Sequence, residues 1–473
     1  MLVDATRPGL APAAPRLVGE RASVEIGSVV HDSRAVLPGA LFCCVPGTAS
    51  DGHDHAPAAL ARGAVALLVE RRLGLGVPEV VVPSVRAAMG PVAAAFHGFP
   101  SQRMDIVGVT GTNGKTTVTH LLRAVLEADG RPCGVVGTLT GARTTPEAPE
   151  LQRTLARFVD EGKRAVAMEV SSHALAQQRV DGTRFAVAVF TNLSRDHLDY
   201  HGTMEAYFAA KVLLFEPGRS RRGVTCLDDA HGRLLRDVAP IPMRGYSADD
   251  VSDVALAPSG TTFRWRGEQV HLELAGRFNL LNAIGAATAA EDLGVAPSVV
   301  AAGLTAAGPV PGRFEPVRAG QPFTVVVDYA HTPDGLDKVL SAARELTGGR
   351  VLVVFGCGGD RDASKRPYMG DAAARGADLV VLTSDNPRSE EPDAIIGAVL
   401  QGMDERRGDA VVEPDRRAAI AIALRSARPG DVVVIAGKGH ETTQVAGDRA
   451  VPFDDRVVAR MELSRLAREG WPA

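Results

Sequence analysis

Gly111, Thr112, Asn113, Gly114, Lys115, Thr116 and Thr117 stand in unbroken order and are the residues of this chain best suited to handling nucleotide phosphates. Glycines let backbone approach a ligand closely, and N–H groups exposed at the start of a helix favour anions. Lys115 can reach terminal phosphates, and the Thr116 hydroxyl can hold Mg²⁺. The apolar run 104–109 reads as a buried strand entering the turn, and 118–128 as the helix leaving it. Val109 stands where the longer P-loop pattern has its first glycine. That departure points away from the commonest ATPases and GTPases and toward a shorter signature.

Two more clusters follow strand-like runs. Residues 165–168 lead to Glu169, and 185–190 to a polar stretch, 191–201, that contains His197. Lys211 lies in an apolar helical stretch, 204–215. Glu169, His197 and Thr116 are sensible ligands for Mg²⁺, a hard cation that favours oxygen and retains water. Taken singly, each has a plain structural explanation: Glu169 as a satisfied strand-end carboxylate and His197 as a loop histidine. Their shared placement after strands of one sheet is what points to a site. Lysine is also scarce, with six among the 52 basic residues. Arginine stays protonated, whereas lysine can lose its proton and be modified. Four of the six, Lys115, Lys211, Lys365 and Lys438, fall within the motifs.

The C-terminal third repeats the pattern. Apolar runs at 324–327, 351–355, 379–382 and 432–436 end respectively in Asp328 to His331, Gly356 to Arg361, Ser384 to Arg388 and Gly437 to Glu441. Ligands of open parallel sheets bind outside the carboxyl ends of strands, so four charged ends imply one shared crevice. The turn at Gly356 lacks the dinucleotide spacing, with Arg361 where a third glycine would sit, so no NAD site is expected.

These elements imply an α/β protein of three domains. They are a small N-terminal α/β domain (1–102), a central P-loop domain with a parallel sheet (103–311) and a C-terminal Rossmann-like domain (312–473). The segment Pro309 to Gly312 is a plausible hinge. Net charge is −4, which gives no reason to expect nucleic acid or anionic lipid as a partner. The first sixteen residues lack the form of a signal peptide, and no apolar run approaches a membrane span. The five cysteines form no C-x-x-C pair, so neither zinc nor a disulfide framework is indicated. A cytoplasmic enzyme acting on small molecules, without membrane insertion and as a monomer, is the expectation.

Taken together the motifs resemble the Mur ligase family, which builds the peptide stem of the peptidoglycan precursor. The likeness spans nearly the whole chain and rests on Asp32 to Arg34, Gly111 to Thr117, Thr144 to Pro146, Glu169 to His173, Asn192 to His201, Gly276 to Asn279, Asp328 to His331, Asp385 to Arg388 and Gly437 to Glu441. It implies ATP-dependent, ADP-forming amide ligation, with Mg²⁺, by members that add meso-diaminopimelate to the D-glutamate γ-carboxylate of a UDP-muramoyl-dipeptide. By position it assigns the uridine nucleotide to loops around His31, Ser33, Thr48, Ala49 and Ser50. The muramoyl-dipeptide falls to Thr144, Thr145, Ser171, Gln177 and Arg179. Asn279, Arg313, Asp328 and His331 surround the adenine nucleotide. The incoming amino acid falls to Arg361, Asp385, Asn386, Pro387, Arg388, Gly437 and Glu441. Lys211 matches a lysine that is carbamylated to N6-carboxylysine and helps His197 hold a second Mg²⁺. Lys115, Lys211, His197 and Glu169 are thus the expected catalytic set. His31 and the stretch from Thr48 to Ser50 depart from the family's usual residues.

The implied reaction has two steps, an acyl phosphate made from ATP and its displacement by an amine. Substrates held on separate domains imply closure around hinges near residues 100 and 311. A folylpolyglutamate-type ligase shares the P-loop and the lysine, but Asp32 to Arg34 and Asp385 to Arg388 argue against it. A lysine-adding relative is separated mainly by Arg388. A non-catalytic nucleotide-binding scaffold would be expected to lose Glu169, His197 or Lys211, and a simple ATPase switch has no use for the charged C-terminal crevice.

Overall fold

The computed structural model describes residues 16–18, 24–47, 50–403 and 410–471. Continuous β-branched and aliphatic runs can be satisfied only by burial on both faces, and they form the middles of two six-stranded sheets. The central sheet runs in the order Met243–Tyr246, Ser220–Cys226, Phe185–Phe190, Asp105–Thr110, Ala165–Glu169, Cys133–Val136, with every neighbouring pair parallel. The C-terminal sheet runs Glu315–Pro316, Thr324–Asp328, Val432–Ala436, Val351–Phe355, Leu379–Leu382, Ala410–Val412. Its first pair is antiparallel and the rest are parallel.

The pleat explains how each sheet carries two cores. Successive side chains point to opposite faces. Val107 and Val109 therefore join one cluster with the helix Lys115–Ala128, while Ile106 joins another with Leu151 and Leu155. Likewise Val351, Val353 and Phe355 pack on one face of the C-terminal sheet, and Leu352 and Val354 on the other.

Smaller sheets complete the fold. The N-terminal one has five strands, Arg16–Val18, Glu79–Val81, Ala64–Val69, Ala40–Cys43 and Ser28–Val30 in spatial order. An antiparallel sheet, Val251–Ala257, Gly260–Trp265 and Glu268–Leu272, buries Phe263 and Trp265 against the central core. A two-stranded hairpin, Thr443–Ala446 with Arg449–Pro452, follows the last long strand of the C-terminal sheet. Among the described residues, no helix is long and apolar enough to cross a membrane.

The expected strands at 185–190, 351–355, 379–382 and 432–436 have the observed bounds. The helix expected at 118–128 begins earlier, at Lys115, because its first turn is polar and carries no apolar periodicity. The strand expected at 104–109 runs one residue later, Asp105–Thr110, since Met104 lies before the first ladder pair.

Candidate active site

The strand Asp105–Thr110 delivers the glycine-rich turn at its carboxyl end, and two glycines make the turn possible. Gly111 has φ +147, and a Cβ there would lie 1.9 Å from the Thr191 hydroxyl. Gly114 has φ +89, with the Asn282 amide oxygen 2.3 Å from where a Cβ would sit. Gly114 caps the following helix without a side-chain bond, so first-turn N–H groups stay available to an anion. The turn is stitched to the next strand end. Thr112 N–H donates to the Asn192 carbonyl (2.9 Å), Asn113 N–H to the Asn192 side-chain oxygen (3.0 Å) and the Thr191 hydroxyl to the Asn113 carbonyl (2.6 Å).

A cavity of about 430 Å³ opens above this turn. It is lined by Thr112 to Thr117, Thr138, Thr144, Glu169, Ser171, Asp196 and His197 from the central region, and by Arg313, Asp328 and His331 from the C-terminal one. Glu169, at the end of Ala165–Glu169, accepts from the Thr116 hydroxyl (3.1 Å), Thr138 N–H (2.9 Å) and the Thr138 hydroxyl (3.2 Å). Arg313 reaches across to donate to the Thr116 hydroxyl (3.0 Å) and stacks over the Tyr329 ring, 4.6 Å from its centre. Its Nε is buried and has no hydrogen-bond partner among the described residues. Asn113 donates to Asp334 (3.0 Å), a second tie between the two regions.

The lysines hold onto their own loop. Lys115 Nζ donates to the carbonyls of Gly111 (2.9 Å) and Thr112 (2.8 Å), and fully buried Lys211 donates to the Gly111 carbonyl from beneath (2.8 Å). Lys211 is carried inward by the helix Met204–Val212, whose start is capped by the Thr203 hydroxyl. Burial holds the Lys211 pKa far below the usual lysine range, and the Lys115 charge lowers it further. Burial also lowers Lys115, against the pull of Glu169 and Asp196. His197, in a left-handed conformation (φ 56), is pushed down to about 4 by burial despite Asp196 beside it at 3.3 Å. His331 is pushed down to about 4 by burial as well.

The remaining expected residues fall into three places. Asn279 is fully buried, donates to the Ala275 carbonyl (2.9 Å) and does not line the cavity; Asn282, one helical turn on, does. Thr145 bonds the Glu169 carbonyl (2.9 Å) and Arg179 bonds Gln177 (2.5 Å), both beside the cavity. His31 pairs with Glu150 (3.2 Å), and Ser33 sits in a short turn capped by Asp32. Ser50 is exposed, whereas Thr48 and Ala49 lie outside the described residues.

At the carboxyl ends of the C-terminal sheet, the polar clusters do converge. Gly437 N–H donates to the Asp328 carbonyl (3.1 Å), and a Cβ on Gly437 would lie 2.6 Å from the Asp385 carboxylate. Asn386 donates to Glu441 (2.7 Å). Arg388 donates to the Gly359 carbonyl (2.6 Å), and the Arg361 stem also approaches Gly358, 3.9 Å from where a Cβ would sit. Burial raises Asp385 against the charges of Arg416 and Lys438.

Several residues of these sites escaped the sequence reading. Thr138 orients Glu169 from a loop with no motif. Glu147 gathers Arg179 (2.9 Å) and Arg86 (3.3 Å) from distant segments beside Arg143 (2.7 Å), four residues earlier. Arg416, fully buried with Asp455 (2.7 Å), donates to the Ala436 carbonyl (2.9 Å), directly before Gly437. Lys438 stands out in the sequence as a scarce lysine within the motif from Gly437 to Glu441, with no role assigned. Its Nζ bonds the Asn386 oxygen (3.1 Å), Glu441 (3.3 Å) and the Thr443 carbonyl (2.7 Å).

Residues 25–97 match the Mur ligase family catalytic domain, 109–290 the Mur ligase middle domain, and 312–439 the Mur ligase glutamate ligase domain. A protein of Geobacillus thermodenitrificans named UDP-N-acetylmuramoyl-L-alanyl-D-glutamate–2,6-diaminopimelate ligase is 46% identical over 461 residues, covering 92% of this chain and 94% of its own. One of the same name from Streptomyces coelicolor is 45% identical over 473 residues, covering 94% and 93%. A solved structure of a ligase of that name superposes with a TM-score of 0.66 at 36% identity, over 94% of this chain and 96% of that one. A MurF ligase of Thermotoga maritima in complex with ADP shares the fold, with a TM-score of 0.64 at 21% identity over 93% and 97%. Three consecutive domain matches and relatives of this identity over nearly the full length establish that the chain belongs to the Mur ligase family.

Proposed function

We propose that this ATP-dependent ligase joins meso-diaminopimelate to the D-glutamate γ-carboxylate of UDP-N-acetylmuramoyl-L-alanyl-D-glutamate, in the cytoplasmic synthesis of peptidoglycan precursor. The names of its relatives support the reaction. The amino-acid assignment is carried by one observation: the Arg388 guanidinium and the Arg361 stem both approach Gly358 at the sheet end where Asp385, Asn386 and Glu441 also gather. Diaminopimelate differs from lysine by a second carboxylate, which a guanidinium can meet with a charge-assisted, two-pronged bond. Lysine would leave that guanidinium desolvated and unpaired. A division of labour near residues 102 and 311 follows, with the UDP end on the N-terminal part, ATP in the central part and the amino acid in the C-terminal part.

The first step brings a carboxylate to a triphosphate, so neutralising negative charge is its main requirement. A carboxylate oxygen attacks the γ-phosphorus and ADP departs with the electron pair. Lys115, released from the carbonyls of Gly111 and Thr112, follows the charge onto the leaving phosphates, while Arg313 approaches from the C-terminal side. The amine then attacks the acyl carbon, the tetrahedral intermediate expels phosphate, and the nitrogen loses its proton. Thr144, Ser171 and Arg179 orient the dipeptide for both steps.

The oxygen donors of Thr116 and Glu169 suit Mg²⁺. Among the described residues, no group of three or more His, Cys, Asp or Glu side chains is arranged to hold a metal, which suits an ion shared with substrate phosphates. When bound, Mg²⁺ supplies positive charge that offsets carboxylate–phosphate repulsion. Lys211 as a carbamate, with His197, would hold a second ion. Carbamate formation joins a neutral amine nitrogen to CO₂ with release of a proton, and a lowered pKa increases the neutral fraction.

The test is ADP release with the UDP-muramoyl-dipeptide and, separately, meso-diaminopimelate, L-lysine and L-ornithine. Diaminopimelate should be preferred in kcat/KM by about 10² or more. Equal use of L-lysine would remove the specificity assignment.

A further inference from the structure

Arg388 carries a side chain yet has φ +53, in the left-handed region that disfavours every residue with a Cβ. Such a conformation persists only where neighbours impose it, and here the hairpin of residues 443–452 does so. Arg388 N–H donates to the Val445 carbonyl (3.1 Å), and Gly447 N–H donates to the Arg388 carbonyl (2.6 Å). Two and three residues before Arg388 the stitching continues. Val445 N–H donates to the Asn386 side-chain oxygen (3.0 Å), and the Gln444 amide donates to the Asp385 carbonyl (2.8 Å). The hairpin itself contributes little to any core: its second strand, Arg449–Pro452, is exposed throughout. A two-stranded ribbon this exposed has little stability of its own, so its bonds to residues 385–388 need another explanation.

We propose that this hairpin is a specificity element of the ligation reaction, with Gln444 as its positioning residue. By holding the Arg388 backbone left-handed, it directs the guanidinium into the corner left open by Gly358 and Gly359. A Cβ on Gly358 would lie 3.0 Å from the guanidinium, and one on Gly359 would lie 1.9 Å from the Pro387 carbonyl, so both glycines keep that corner clear. The hairpin acts through Arg388 and touches no reacting atom. This inference rests on the assignment of Arg388 to the far carboxylate of diaminopimelate.

The experiment measures KM and kcat for meso-diaminopimelate and for ATP in wild type, Gln444→Ala and Gly447→Pro, and repeats Gln444→Ala in an Arg388→Ala background. Losing one orienting bond should raise KM for diaminopimelate about five- to ten-fold. KM for ATP and kcat at saturating diaminopimelate should stay within about two-fold. In the Arg388→Ala background Gln444→Ala should add nothing, since its effect passes through a guanidinium already removed. An unchanged KM in both hairpin variants, or an effect that simply adds to that of Arg388→Ala, overturns the proposal while wild-type activity with diaminopimelate stands. A wild type that does not use diaminopimelate overturns both this proposal and the assignment beneath it.

Discussion

The nucleotide end and the amino-acid end of this molecule handle their cations in opposite ways. Around the glycine-rich turn, and among the described residues, Lys115 and Lys211 hydrogen-bond to backbone carbonyls of the turn, and Arg313 keeps a buried Nε without a partner. At the C-terminal sheet, Lys438 is surrounded by Asn386, Glu441 and the Thr443 carbonyl, and Arg416 by Asp455 and the Ala436 carbonyl. In the first arrangement none of these three cations is in ion-pair contact with a carboxylate among the described residues, although Glu169 and Asp196 lie nearby, so their donors can turn to a polyanionic ligand. In the second, Lys438 and Arg416 are already matched by carboxylates, and Arg388, held on the Gly359 carbonyl, is left to meet a carboxylate of a small zwitterion whose shape must also be matched. One end is therefore built to rearrange and the other to stay.

Breaking the rigid end should have the largest effect. Arg416→Ala would leave Asp455 buried without its partner, and losing half of a buried pair costs about 3–5 kcal/mol. Denaturant unfolding should show that loss, and the double substitution Arg416→Met with Asp455→Leu should recover part of it. A single variant as stable as wild type would mean that the pair does not hold the sheet ends.

At the adaptable end the damage should fall on rate and spare stability. Lys115→Ala should lower kcat by about 10² or more, as expected when a charge used in the transition state is removed, with Tm almost unchanged. Lys211→Arg should be equally inactive, because a guanidinium cannot become a carbamate. Near-normal turnover in a folded Lys115→Ala protein would overturn the phosphate assignment.

The smallest expected effect sharpens the contrast between charge and orientation. Thr138→Val removes one hydroxyl bond to Glu169 and leaves the Thr138 N–H bond in place. A loss of about 1 kcal/mol, or roughly five-fold in kcat/KM, should follow. If instead the variant is as impaired as Lys115→Ala, Thr138 takes part in more than holding a carboxylate.

Strands such as Val351–Phe355 and Val432–Ala436 were legible with their bounds because a strand buried on both faces is an unbroken apolar run. The glycine-rich turn was legible because backbone approach to a ligand demands glycine at Gly111 and Gly114, where a Cβ would collide with Thr191 and Asn282. The antiparallel sheet spanning 251–272 was not legible, since its first strand is largely solvent-facing and gives a weak apolar signal. Nor was the hairpin at 443–452, which is short and mostly exposed.

What the amino-acid order determined by itself was local: which runs must be buried, where glycine is required, and which residue types could carry phosphate or carboxylate chemistry. The tertiary structure alone decided the partners. It brought Arg313 to Thr116 across 197 positions, set Arg86 and Arg179 around Glu147, and aimed Arg388 by means of a hairpin more than fifty residues further along the chain. Burial follows from each residue's own chemistry and so is written along the chain. A pairing between two polar groups depends on where the sheets carry them, and only the assembled fold supplies that.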